Sequence, residues 1–169
     1  MSSFERPRLV LCAALASGLS GCLQPLYAPI DGVDVAAELQ AVAIDPVPER
    51  LGHYLHNELI LAFDGTGGGA PVKYHLVLTP KERVLTPLVD TFSGRADSAT
   101  VAVDADYALV PVGGGPPVTA GTAQSLANYD RSAQRFANIR AARDAEIRLA
   151  KALADQIRTR VAAALAARR

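Results

Sequence analysis

The chain has 169 residues, half of them apolar and a fifth charged, which suits one folded domain and excludes disorder along its whole length. Five Tyr, four Phe and no Trp are too few for a surface that stacks on single-stranded nucleic acid. Lys+Arg equals Asp+Glu at 17 each, so net charge gives no reason to expect a nucleic-acid partner, and two cysteines exclude a disulfide scaffold and a multi-cysteine zinc module.

The neutrality hides an asymmetry. Residues 131–169 hold ten Lys/Arg against three Asp/Glu, a balance of +7, whereas residues 22–130 hold five against thirteen, a balance of −8. An acidic body and a basic tail attract each other, or the tail faces an anionic partner.

Residues 1–21 read as an export signal. Arg6 and Arg8 form a short positive segment, and residues 9–19 an apolar run too short to span a bilayer. Leu19-Ser20-Gly21-Cys22 follows, and it resembles the bacterial lipobox, in which a small residue precedes the cysteine that is acylated before cleavage. Cys12 then leaves with the signal and Cys22 is the lipidated first residue of the mature protein, anchored to a membrane by its acyl chains. Leu23, not Asp, at the next position favours the outer membrane by analogy with lipoprotein sorting. The expected division is a removed signal at 1–21, an acylated N-terminus and tether at 22–36, and one domain at 37–169.

Pro25, Pro29 and Gly32 suit the extended tether. Residues 38–45 are expected to form a strand buried on both faces, closed by Pro46 and Pro48. Residues 48–63 read as an amphipathic helix, with Pro48 in the first turn, Glu49 at the positive end, and Leu51, Leu55, Leu59 and Ala62 at helical spacing; Asp64-Gly65 ends it. Residues 72–79 alternate, with Val72, Tyr74, Leu76 and Leu78 on one face. Residues 80–99 read as a long hairpin loop with strand extensions at 83–91. Residues 100–110 alternate more clearly: Val101, Val103, Ala105, Tyr107 and Leu109 share a face, and Asp104 and Asp106 point away. Gly113-Gly114-Gly115-Pro116-Pro117 is a turn, and residues 118–129 give a last, less apolar strand.

From Ser132 onward the chain reads as one long helix, with thirteen alanines in residues 133–167 and no Gly or Pro. Ile139, Ala150, Leu153, Ile157, Val161 and Ala164 cluster on one side, Arg140, Arg148, Lys151 and Arg158 opposite. Its length exceeds a small sheet, so the basic C-terminal end is expected to project. Arg143 and Glu146 fall inside the apolar arc and must pair, with each other or with something else, if buried; an ion pair at the end of the sheet is the simpler account, a contact with a partner protein the other. The expected fold is α+β, a two-layer sandwich of about four mainly antiparallel strands with two helices on one face, in the order β-α-β-β-β-α.

No catalytic constellation emerges. The glycine run at 65–69 follows a helix, whereas a phosphate loop follows a strand and opens a helix, and it lacks the Gly-Lys-Ser/Thr ending. His53 and His56 are three apart with no third ligand evident, which a solvated helix face explains better than a metal site. No Gly-x-Ser-x-Gly elbow is present. The reading is a protein with no catalyst, no cofactor, no metal and no nucleic-acid partner.

Four segments in order carry a family resemblance. Cys22-Leu-Gln-Pro-Leu-Tyr27 resembles the opening of the lipopolysaccharide-assembly lipoprotein family, LptE, especially its alphaproteobacterial branch. The segment from Arg50 to Leu59 is similar to that family's Arg-x-x-x-x-Leu-x-Asn-x-Leu first helix. Tyr129 with the run from Phe136 to Glu146, and then Leu153-Ala-Asp-Gln-Ile157, resemble its last strand and helix. One departure is Leu23, where the family often has Gly-Phe after the cysteine.

The resemblance implies a plug inside the lumen of the LptD outer-membrane β-barrel that helps the barrel assemble and assists delivery of lipopolysaccharide to the cell surface. It also implies a sheet of about four strands with two helices on one face, and lipopolysaccharide bound through basic residues; Lys73, Lys81, Arg83 and Arg95 are the candidates, since an Arg/Lys cluster suits the phosphates of lipid A. Two other classes stay open: an accessory lipoprotein of an ABC-type lipid transport system, and a periplasmic hydrolase tethered by Cys22.

Overall fold

The computed structural model describes residues 34–63, 70–85 and 98–168; Cys22, Arg95, the 65–69 glycine run and the helix stop at Asp64-Gly65 lie outside them. The described chain opens with a short helix, α1 (Val35–Gln40), where the tether and then a strand were expected. The Asp34 carboxylate caps it, accepting the Ala36 and Ala37 N–H groups at 3.0 and 3.1 Å. Val35 and Leu39, four apart, share its buried face. The expected strand over 38–45 shrinks to β1 (Val42–Ile44). A turn and a half of helix running straight into three extended residues mimics alternation, because Leu39 and Ala41 are buried for different reasons.

α2 (Glu49–Phe63) forms as the spacing requires, burying Leu51, Leu55, Leu59 and Phe63. Pro48 stands before it, not in its first turn, and Glu49 enters with φ 68°, in the left-handed region. This sharp entry folds Val47 back onto the helix. A Cβ on Gly52 would lie 2.6 Å from Val47 Cγ1 and 3.0 Å from the Val47 backbone carbon. Gly→Ala in a helix interior ordinarily stabilises by about 0.5–1 kcal/mol; here Gly52→Ala is expected to destabilise by about 1–3 kcal/mol through overpacking, read as a lower urea midpoint.

The sheet holds β1, β2 (Tyr74–Leu85), β3 (Ser98–Pro111) and β4 (Thr119–Asp130), in that spatial order. β1 runs parallel to β2 with Val42 opposite Tyr74, so β1-α2-β2 is a crossover. The other pairs are antiparallel, with Leu76 opposite Leu109 and Ala105 opposite Ala123. β2 runs unbroken to Leu85, through Pro80 and the start of the expected 80–99 loop and into the extension expected from 83. The Leu76 carbonyl faces β1, accepting the Asp45 N–H at 3.0 Å. Pro80, four residues on, points to that same edge beyond the end of β1, where a missing N–H costs no ladder bond.

The helices form one layer on one face of the sheet. Val101, Val103, Ala105, Tyr107 and Leu109 are all buried beneath them, as their alternation requires. In β2, Leu76 and Leu78 are buried while Val72 is half exposed ahead of the strand. β4 offers small residues, Ala123 and Ala127, and Gly121, whose absent Cβ leaves room for the Tyr107 ring.

The long helix is α3 (Arg135–Ala166), which buries residues from Ala145 to Leu165. The expected overhang falls at the other end. The C-terminal turns are packed, with Leu165 buried and Arg168 5.9 Å over the Tyr74 ring. The N-terminal turns project, and Ile139, expected in the core, is exposed along with Phe136. The reason is the position of α2. Its first turn meets α3 at Glu146, so no helix flanks the residues before that point.

Candidate functional site

The sheet face away from the helices is polar. Arg83 pairs with Asp104 at 2.5 Å and Lys81 with Asp106 at 2.9 Å, both diagonally from β2 to β3. Asp106 also accepts the Thr122 hydroxyl at 2.6 Å, so one row of contacts crosses three strands. The Thr122 and Lys81 hydrogen bonds hold the Asp106 carboxyl below the usual carboxylate range. Thr100 donates to Asn128 at 2.7 Å, and His75 meets Asp45 at 2.9 Å. Exposed pairs of this kind contribute roughly 0–1 kcal/mol each; their effect is a wet, charge-balanced face, interrupted by the exposed Leu126.

The lipopolysaccharide candidates therefore divide. Lys81 and Arg83 stand side by side on this face, each with a carboxylate partner. Lys73 lies at the opposite end of β2, paired with Glu38 of α1 at 2.5 Å, and that hydrogen bond raises its pKa. Arg143 does not pair with Glu146 as one expectation had it. Arg143 is exposed, and the buried Glu146 carboxylate is held in a fork by Arg50 of α2, with Arg50 Nε donating at 2.6 Å and Nη2 to the second oxygen. The Glu146 bond raises the Arg50 pKa.

Beside this ion pair, Pro48, Glu49, Leu51, Leu78, Pro80 and Glu82 line a cleft of about 250 Å³. Burial and the nearby Glu146 charge push the Glu82 carboxyl up, with Arg50 opposing. A carboxyl with a raised folded pKa destabilises at neutral pH, and that cost is relieved as pH falls toward its unfolded value. Glu82→Gln is expected to stabilise at pH 7 by a few tenths of a kcal/mol, discounted for solvent screening, with the gain over wild type vanishing near pH 4; thermal melts across that range read it.

A second surface escaped the reading of the sequence. Phe136 is 84% exposed and Ile139 52%, flanked by Arg135, Arg140 and Arg143, which are exposed and without an acidic partner among the described residues. The excess of basic residues after position 131 was the available signal. His53 and His56 go separate ways: His53 meets Asn57 at 3.1 Å and His56 lies 3.3 Å from the Ile44 carbonyl. Among the described residues no group of three or more His, Cys, Asp or Glu could hold a metal ion, and no helix is long and apolar enough to cross a membrane.

Residues 39–161 match the family described as LptE, Lipopolysaccharide-assembly. The chain belongs to the LptE family. The match runs from the end of α1 through the sheet into the last turns of α3. A lipoprotein of Caulobacter crescentus shares 25% identity with a TM-score of 0.68, covering 79% of this chain and 97% of that one. A minor lipoprotein of Acinetobacter baumannii, at 13% identity and TM-score 0.52, covers 72% of this chain and 88% of that one. Lipoprotein B of Nitrosomonas europaea, at 16% and 0.51, covers 75% and 84%. These last two share the fold. No curated protein gives a significant match. LptE membership assigns the chain to lipopolysaccharide assembly in the bacterial envelope.

Proposed function

We propose that this LptE-family protein is an outer-membrane lipoprotein, anchored through acylated Cys22, that plugs the LptD β-barrel, helps it assemble and assists lipopolysaccharide delivery to the cell surface. The family match over residues 39–161 carries the reading. The open sheet face supports it: Lys81, Arg83, Asp104, Asp106, Thr122 and Asn128 are spread over three strands in charge-balanced contacts, which suits the hydrated lumen of a barrel. Lipid A phosphates would meet Lys81 and Arg83, exchanging a carboxylate partner for a phosphate one. The projecting start of α3, with Arg143 on it, would contact the barrel wall.

The test is a mild-detergent pull-down of the tagged, acylated protein from its own outer membranes, with mass spectrometry of what accompanies it. A stoichiometric barrel of the LptD type is the expected result. The lipoprotein alone, or one carrying inner-membrane ATPase subunits, would overturn the reading and favour an ABC-transport accessory.

A further inference from the structure

β4 is the outer strand of the sheet. Antiparallel alternation sends every second N–H and C=O pair away from β3, and on β4 these belong to the even positions from Ala120 to Asp130, with Thr122, Gln124, Leu126 and Asn128 at the centre. Such an edge accepts another strand unless it is blunted, usually by charged residues or proline. Residues 119–129 contain neither, and the one charge in β4 is Asp130 at its very end.

The protection comes from α3 instead. Arg148 Nη2 donates to the Asn128 carbonyl at 3.2 Å, Gln156 Nε2 to the Gln124 carbonyl at 3.1 Å, and Arg160 Nη1 to the Thr122 carbonyl at 2.6 Å. Positions 148, 156 and 160 lie on one i,i+4 stripe. Its remaining member, Ala152, falls level with Leu126 and has no donor to offer. The helix runs antiparallel to β4, and four helical residues advance about as far as two strand residues, so the side chains meet alternate carbonyls in turn.

We propose that this side-chain ladder keeps the β4 edge closed against a second copy of the chain. A two-fold antiparallel pairing centred on Ser125 places Gln124 opposite Leu126 and Thr122 opposite Asn128. No like charges face each other in that arrangement, so nothing within the strand itself opposes it. The ladder is what makes the protein a monomer, whatever barrel or transporter it serves.

The experiment uses the full acylated chain in mild detergent. Arg148→Met, Gln156→Met and Arg160→Met together keep helix propensity and aliphatic bulk but delete the donors. Light scattering behind size exclusion should give one protein mass for wild type at all loadings, and a concentration-dependent doubling for the triple variant. Adding Leu126→Lys, which sets two ammonium groups near the two-fold axis, should restore the monomer. A triple variant that stays monomeric with a wild-type circular dichroism spectrum overturns the proposal. So does self-association that Leu126→Lys leaves in place, since that mass would come from unfolding or from another surface, and so does a dimeric wild type.

Discussion

Arg50→Ala is expected to cost about 3 kcal/mol of unfolding free energy, because the arginine is the fork that neutralises a carboxylate buried between two helices. Glu146 is 3% exposed while Arg50 is half exposed, so removing the cation strands a charge that cannot reach water, whereas removing the carboxylate frees a guanidinium that can. The two single variants should therefore differ, Arg50→Ala being the worse. Arg50→Met combined with Glu146→Met replaces the pair by apolar bulk and should recover to within about 1 kcal/mol of wild type. Urea denaturation of wild type, Arg50→Met, Glu146→Met and the double Met variant closes the cycle. Lys81→Ala, which breaks an exposed pair, should cost under about 1 kcal/mol in the same assay. An Arg50→Ala protein no weaker than Lys81→Ala would show that the fork contributes nothing.

Leu153→Ala is the second large effect. Leu153 is fully buried in the layer shared by α3, the sheet and α2, with Leu55, Leu59, Leu109 and Ile157 in the same core. Truncation there loses transfer free energy and leaves a cavity, about 3–4 kcal/mol, or roughly a 10 °C fall in Tm for a domain of this size. Ile139→Ala, on the same helix but exposed, should stay within about 0.5 kcal/mol of wild type. Had the helical wheel alone decided, both residues would count as core; the contrast in melting temperature separates position on a wheel from the presence of something to pack against.

That contrast marks what could be read in the residues. β3 is legible because a strand covered on one face writes its burial at a period of two, and all six inward positions from Ala99 to Leu109 carry apolar side chains. α2 and α3 are legible for the same reason at a period of 3.6. α1 is not, because a helix of six residues is too short to establish a period. The exposed start of α3 escaped because its covering depends on where α2 begins, a fact held by the crossover and not by α3 itself. Glu146 shows the limit most plainly: its place in an apolar arc announces that a partner is needed, but the partner lies 96 residues away, and the nearby Arg143 was the only cation a local reading could offer. Of the candidate lipid contacts, Lys81 and Arg83 are neighbours because strand alternation makes them so, while the carboxylates that occupy them come from the β2–β3 register, which no single strand specifies.

The ladder between α3 and β4 is a vernier. Four helical residues advance about 6.0 Å and two antiparallel strand residues about 6.8 Å, so over the three steps from Arg148 to Arg160 the two scales drift apart by about 2.4 Å. Arginines sit at both ends, where the drift needs the longest reach, and the shorter glutamine sits between them. The spacing inside α3 is thereby tied to the pitch of a strand it never pairs with. One residue inserted between 148 and 156 would turn the rest of the stripe by about 100° and leave Gln124 and Thr122 bare, whereas four would only move it along by a rung.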